Sequence, residues 1–379
     1  VNELMNNPFL KIENGQYVAF SAGEKLATIL YTWLRYLQLL VIPHPLTSDY
    51  YPYHIPMQTF ASPSVLLSLL IHLGATCFAL FGLIKQKYSP LVFGILFYLL
   101  TFSLVSNLVF PIGTAMGERF MFMPSIGAMC LLVFGIHQLF STQIMPKLAI
   151  VGLICMLFLG KTINRNAAWY DNMTLFQTDV KTSENSAKIN NGLAGMLMEN
   201  VYKQGTSEQE KMNFASQALP YFEKAIQIHP NFTNAWLLKG DAHYYRKEYD
   251  AVLTCYQEVK RQNPKQANIA TLLGTVYAAK GRVQGEQKGD VKGAIDLFEQ
   301  ALTYDANNEE ALRLLGIAFG QQQQFEKAAG YFERYQKVTV NKAWGLYYLG
   351  SIYKDLGKIA QGDSLLKAAY DLDASLRKK

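Results

Sequence analysis

The 379 residues carry 35 lysines and arginines against 29 aspartates and glutamates, a net charge of +6 divided as about +2 before Lys161 and about +4 after it. No basic stripe forms, so nothing points to a nucleic-acid surface. The four cysteines show no CxxC spacing and no His/Cys cluster, so no metal site is expected. Cys77, Cys130 and Cys155 lie in apolar runs and Cys255 in a helical repeat, where each reads as a small apolar filler. Charge is placed unevenly: between Tyr50 and Gly160 only Lys85, Lys87, Glu118, Arg119 and Lys147 are charged, whereas charge is continuous from Lys161 onward. Two solvents are implied, lipid for residues 1–160 and water for 161–379.

Taken in chain order, the first candidate element is 25–42, apolar but with Arg35 in its middle. An arginine at mid-depth costs about 2.5–3.5 kcal/mol on insertion scales. This helix therefore either faces protein there or lies in the interface as a re-entrant or amphipathic element. Crossing a bilayer core of about 30 Å takes about 20 apolar helical residues, because every backbone polar group must be satisfied within the segment. Runs at 64–84, 91–110 and 120–140 meet that length. A fourth run, Leu148 to Gly160, supplies only about 20 Å of helix at 1.5 Å per residue. It spans, as 147–163, when Lys147 and Lys161 reach toward opposite headgroup layers. His72 and His137, inside spans, read as hydrogen-bonded packing residues.

The loop with Lys85 and Lys87 and the loop with Lys147 face one side, while the opposite loops hold one basic residue, Arg119. The lysine loops are expected to be cytoplasmic, and the chain is expected to leave the membrane after Gly160 into periplasm or endoplasmic-reticulum lumen. The chain opens on Val1 with no signal peptide, and it is expected to be the back portion of a longer protein.

After Lys188 the sequence repeats. Gly240 and Gly274 are 34 residues apart, as are Gly316 and Gly350. A period of 34 is that of the tetratricopeptide repeat (TPR), a helical hairpin that stacks into a solenoid. Second helices share a phase: Ala218, Phe222, Ala225 and Pro230; then Val252, Tyr256, Val259 and Pro264; then Ala294, Phe298 and Ala301; then Ala328, Phe332 and Tyr335. One aromatic knob per repeat packs between hairpins. Between Gly274 and Gly316 the gap is 42, and the excess is expected as an elongated turn over Gly281 to Gly289. Regular repeats are thus predicted at 233–266, 267–308, 309–342 and 343–376. An irregular one precedes them at 187–230, with a polar insert from Lys203 to Asn213. The fold class predicted is all-α, a multi-span transmembrane bundle followed by a TPR solenoid.

First helices of such arrays line a groove. Its positions hold Asn234, Leu237, Asp241, Tyr244 and Tyr245 in one repeat, and Trp344, Tyr347 and Lys354 in the last. The aromatic groups have two roles open to them, stacking on an extended peptide or sugar or shielding neighbouring helices. No Lys and Asn cluster stands ready to clamp a C-terminal carboxylate.

No HExxH, phosphate-binding glycine loop or GxSxG occurs. Two segments at the expected membrane edge carry what chemistry there is. The first runs Pro43-His44-Pro45-Leu46-Thr47-Ser48-Asp49-Tyr50 to Pro56, with one acid, Asp49. The second is Glu118-Arg119-Phe120-Met121-Phe122-Met123-Pro124-Ser125-Ile126-Gly127. A guanidinium forks onto phosphate oxygens, so Arg119 at headgroup level suits a lipid phosphate; its other reading is an interfacial anchor paired with Glu118 or a helix end.

The Pro-x-Pro-Leu-x-x-Asp-Tyr loop, the later Glu-Arg-Phe-Met-Phe-Met-Pro-Ser-Ile-Gly, a last span, then Trp169 and Leu175-Phe176 leading into TPRs resemble the transmembrane and TPR-containing O-mannosyltransferases and their bacterial relatives. The resemblance covers nearly the whole chain but the back part of that family only. It implies a GT-C type membrane glycosyltransferase that takes a sugar from a polyprenyl-phosphate carrier and places it on protein hydroxyls outside the cytoplasm. It further implies Glu118 and Arg119 on the carrier-lipid side, Asp49 in a loop above, and TPRs that present the acceptor. A bacterial inner membrane is the location it suggests. The catalytic acids of such enzymes occur in a first external loop that has no counterpart in these residues, and the chain alone is not expected to catalyse. Set against this enzyme reading is a non-enzymatic membrane-anchored scaffold whose TPR groove recruits a protein partner. A transporter is disfavoured, because the spans hold few polar residues.

Overall fold

The computed structural model describes residues 7–13, 16–85, 89–140 and 142–378, so Lys87 of the expected cytoplasmic loop lies outside the described residues. Two compact units divide the chain, 1–235 and 236–379. The change in charge composition at Lys161 and the compact division after Ala235 fall at different places: the first is a feature of the sequence, the second of packing.

The first unit opens with an antiparallel hairpin that the sequence pattern did not announce, β1 (Leu10–Glu13) and β2 (Gln16–Ala19), in register Leu10 to Ala19. Helix α1 (Ala22–Val41) starts on a capping box, in which Ser21 Oγ accepts from Glu24 N and Glu24 Oε2 accepts from Ser21 N. Then come α2 (Pro63–Ile84) and α3 (Pro90–Ser103), each with proline in its first turn, where the missing N–H costs nothing. A 3-10 turn, Glu118–Met121, leads into α4 (Phe122–Phe140), followed by α5 (Ile144–Ala168), α6 (Asn172–Asp179), α7 (Ala187–Tyr202) and α8 (Glu208–Ile228).

Three of these are long and apolar enough to cross a membrane: α2, the 3-10 turn with α4, and α5. Two expectations are corrected. The run 91–110 is not one full-length helix: α3 has 14 residues and ends at Ser103. Polar closure stops it, since the Ser103 hydroxyl donates to the Leu100 carbonyl, Ser106 to Ser103, and the buried Asn107 amide donates to Thr114 and accepts from Ile112 N. The last run is longer than its apolar stretch, a helix of 25 residues that continues past Lys161 through Arg165. Its polar final turns still gain one backbone bond per residue.

Inside this unit α3 and α4 touch backbone to backbone: a Cβ on Gly127 would lie 2.6 Å from the Gly94 carbonyl oxygen. Small residues allow that approach in apolar bundles, which gives the Pro-Ser-Ile-Gly end of the second edge motif a packing role. Tyr36, Tyr50, Tyr98, Phe102, Met116 and Met121 form the core beside it. His72 accepts the packing role expected of it, with Nδ1 2.8 Å from the Ser68 carbonyl and Nε2 3.3 Å from the Tyr98 hydroxyl. In the irregular repeat, a second capping box, Ser207 with Glu210, makes the latter half of the expected polar insert helical.

The second unit holds the regular repeats: α9 (Thr233–Tyr245, from Trp236 within this unit), α10 (Tyr249–Gln262), α11 (Ile269–Glu286), α12 (Val291–Tyr304), α13 (Glu309–Gln321), α14 (Phe325–Val338), α15 (Lys342–Asp355) and α16 (Ile359–Leu372). The second-helix knobs Tyr256, Phe298, Phe332 and Tyr335 are buried in one continuous core. One expectation changes here too. The excess between Gly274 and Gly316 is not an elongated turn; it extends the first helix, so that α11 has 18 residues against 13 for α13. Glycines permit the extension. Gly281 lies under Phe298, where a Cβ would come within 2.6 Å of the ring, and at Gly285 a Cβ would meet Ala294 at 3.3 Å.

Candidate functional site

The first unit brings the two edge segments together, and the joint is Glu118. Its Oε1 accepts from the Thr47 backbone N–H at 2.7 Å and from the Tyr50 hydroxyl at 2.8 Å. Burial and the neighbouring Glu118 carboxylate both push the Tyr50 phenol well above its ordinary range, which keeps it protonated as the donor. Behind Glu118, the Tyr36 hydroxyl accepts from Gly117 N at 2.8 Å, fixing the start of the 3-10 turn on α1.

The loop is held from its other side by residues that the sequence reading did not single out. Asp179, at the end of α6, is fully buried. Its Oδ2 accepts from Ser48 N at 2.6 Å, and both its oxygens take the fork of Arg165, Nη1 at 2.6 Å and Nη2 at 3.0 Å. A buried pair of this bidentate kind stays put because removal of either partner strands a charge, at a cost of about 3–5 kcal/mol. Ser183 donates to the Thr47 hydroxyl at 2.9 Å and Ser186 to the Tyr51 carbonyl at 2.7 Å. Loop 43–56, the last turns of α5 and the start of the irregular repeat thus form one polar joint.

Asp49 is half-buried beside this joint. Its Oδ1 accepts from Tyr51 N at 2.6 Å, and Lys188 Nζ lies 3.8 Å from its Oδ2 and 4.9 Å above the Tyr51 ring. Burial pushes the Asp49 carboxyl up, against the pull of Lys188 and the Tyr51 N–H. Arg119 stands apart from its sequence neighbour. Its guanidinium lies over the Phe120 ring at 5.1 Å, its side chain is exposed, and it enters no ion pair among the described residues. Glu118 is committed to the loop, while Arg119 is exposed.

The groove positions divide as well. Asp241 accepts from the Tyr256 hydroxyl at 2.5 Å within its own hairpin, and Lys354 pairs with Asp363 at 2.9 Å within its own. Leu237 and Tyr244 pack on the solenoid core, and Tyr244 meets Tyr245 edge to face at 6.2 Å. Trp344 and Tyr347 form an aromatic cluster with Tyr348, the Trp344 to Tyr347 centroids 5.6 Å apart. Asn234, at the end of the first unit, is exposed. No group of three or more His, Cys, Asp or Glu positioned for a metal occurs among the described residues.

Sequence reasoning found Glu118 and the loop because proline, aromatic and charged residues interrupt an apolar background. Asp179 and Arg165 lie in a stretch where charge is ordinary, and nothing local marks an aspartate as buried.

Comparison with known proteins adds to the geometry. A family model described as tetratricopeptide repeat matches residues 215–275 and 287–347. These repeats are tetratricopeptide repeats. Protein O-mannosyl-transferase TMTC3 of Mus musculus is 25% identical over 266 residues, covering 68% of this chain and 28% of that protein. Protein O-mannosyl-transferase Tmtc3 of Drosophila melanogaster is 27% identical over 324 residues, covering 80% of this chain and 33% of its own length. The TMTC1 protein of Mus musculus is 27% identical over 210 residues. The chain spans about a third or less of the length of these curated relatives. Among solved structures, the TPR protein YrrB is 16% identical with a TM-score of 0.35, covering 52% of this chain and 92% of that one.

Proposed function

We propose that this chain is the membrane-edge and repeat portion of a glycosyltransferase that moves a sugar from a polyprenyl-phosphate carrier to protein hydroxyls. In this reading Arg119 meets the carrier phosphate, Glu118 sets the loop that bears Asp49 above it, and the TPRs engage the protein acceptor or a partner. The likeness to named O-mannosyl-transferases across both the apolar helices and the repeats supports it. The observation that carries it is the pairing at the edge: Glu118 fastens the 43–56 loop, while the adjacent Arg119 stays exposed with no ionic partner among the described residues.

The test is transfer of labelled sugar to protein in membranes that contain the natural protein. A hydrogen bond to a charged group is worth about 1.5–3 kcal/mol, so Arg119→Ala is expected to slow transfer by roughly ten- to a hundredfold at unchanged protein level. Transfer at an unaltered rate would remove the phosphate role and leave the anchored scaffold as the better account.

A further inference from the structure

A second cationic place lies within the first unit, beside the 43–56 loop and Arg165. Between the C-terminal end of α1, the first turns of α4 and the later turns of α5 is a cavity of about 400 Å³. Leu39, Leu40, Met129 and Phe158 give it apolar walls, and Lys161 and Thr162 stand on it as polar groups. Arg165 also borders it, but Asp179 already matches that charge. The cation presented is therefore Lys161, whose Nζ lies 3.0 Å from His44 Nδ1, a ring nitrogen able to accept from it without neutralising it.

Depth decides what such a trough meets. Lys147 and Lys161 are 14 residues apart on one helix, about 21 Å at 1.5 Å per residue, inside a hydrocarbon core of about 30 Å. Both ammonium groups must reach outward, which brings Lys161 to headgroup level with the apolar wall beneath it. None of the apolar window of α5 is buried within the protein, so this wall faces lipid along its length. A cation with a neighbouring hydroxyl donor at the headgroup layer, above an apolar trough, complements a phosphate diester that carries two acyl chains.

We propose that the cavity holds an anionic glycerophospholipid as a resident, its phosphate on Lys161 Nζ and the Thr162 hydroxyl and its chains along Leu39, Met129 and Phe158. Bulk phospholipid is the occupant because it greatly outnumbers any carrier lipid at an open, lipid-facing wall. The proposal is independent of the role given to Arg119.

Native mass spectrometry of the detergent-purified full chain tests it, with phosphatidylglycerol, phosphatidylcholine and polyprenyl phosphate added back singly and in competition. Phosphatidylglycerol is expected to be retained at least tenfold more tightly than phosphatidylcholine. Lys161→Ala is expected to abolish that preference, and Lys161→Arg to keep it, which separates loss of charge from loss of fold. Equal retention of the two phospholipids, or an unchanged preference in Lys161→Ala, overturns the proposal. Displacement of phosphatidylglycerol by a lower concentration of polyprenyl phosphate overturns it too, by reassigning the trough to the carrier.

Discussion

His229 caps α8 with its ring buried: the Tyr17 hydroxyl of β2 meets Nδ1, while Nε2 has no protein partner. Burial lowers its pKa from 6.5 to about 4. Between these values the unfolded chain binds a proton that the folded chain refuses, so this contribution to stability is complete above pH 6.5 and falls as pH drops toward 4. Hydrogen-exchange protection factors over Leu10–Glu13 and Gln16–Ala19 are therefore expected to fall as pH drops through that window, and His229→Phe to flatten the dependence; protection factors that are level with pH in the natural chain would refute it. The same scale shows what a sequence can disclose. Glu118 and Asp49 were legible because each is a rare charge in an apolar setting. His229, Asp179 and Arg165 were not, because their meaning comes from partners 212 and 131 residues away and from a helix end 14 residues away.

Among the elements, the repeat hairpins turn on glycine. At Gly316 a Cβ would sit 2.5 Å from the Phe332 ring, whereas at Gly330, on the exposed side of α14, nothing lies within 4 Å. Gly316→Ala is expected to cost about 1–3 kcal/mol through overpacking. Gly330→Ala is expected to gain up to about 1 kcal/mol by helix propensity. Thermal unfolding of the two variants checks the pair, and equal shifts would refute it. The phase of these hairpins was readable because each aromatic knob recurs against a small residue. The longer α11 was not, since Gly281 to Gly289 has the composition of a turn, and only contact with Phe298 and Ala294 shows that its glycines are there for close approach. The hairpin β1–β2 escaped for a related reason: two strands of 4 residues are too short to set a period.

For the whole molecule, the charge distribution of the loops predicts on which side the repeats lie. In inverted vesicles, whose outside is the cytoplasmic face, added protease is expected to leave the residues after Lys161 intact; their digestion would place the repeats in the cytoplasm. The all-α class was readable from the long apolar runs, since lipid tolerates few charges over a long stretch, and from the 34-residue period of a helical hairpin. The extent of α3 and α5 was not, because helix ends are set by local hydrogen bonding as much as by hydropathy.

The fork between Arg165 and Asp179 has a mechanical side. Arg165 rides on the last turns of α5, and Asp179 grips Ser48 of the loop. A helix that adjusts its tilt to a thinner or thicker bilayer pulls on that loop through two consecutive bonded groups. The loop bearing Asp49 is thereby tethered to a helix long and apolar enough to cross a membrane, and its position is expected to follow that helix when bilayer thickness changes its tilt.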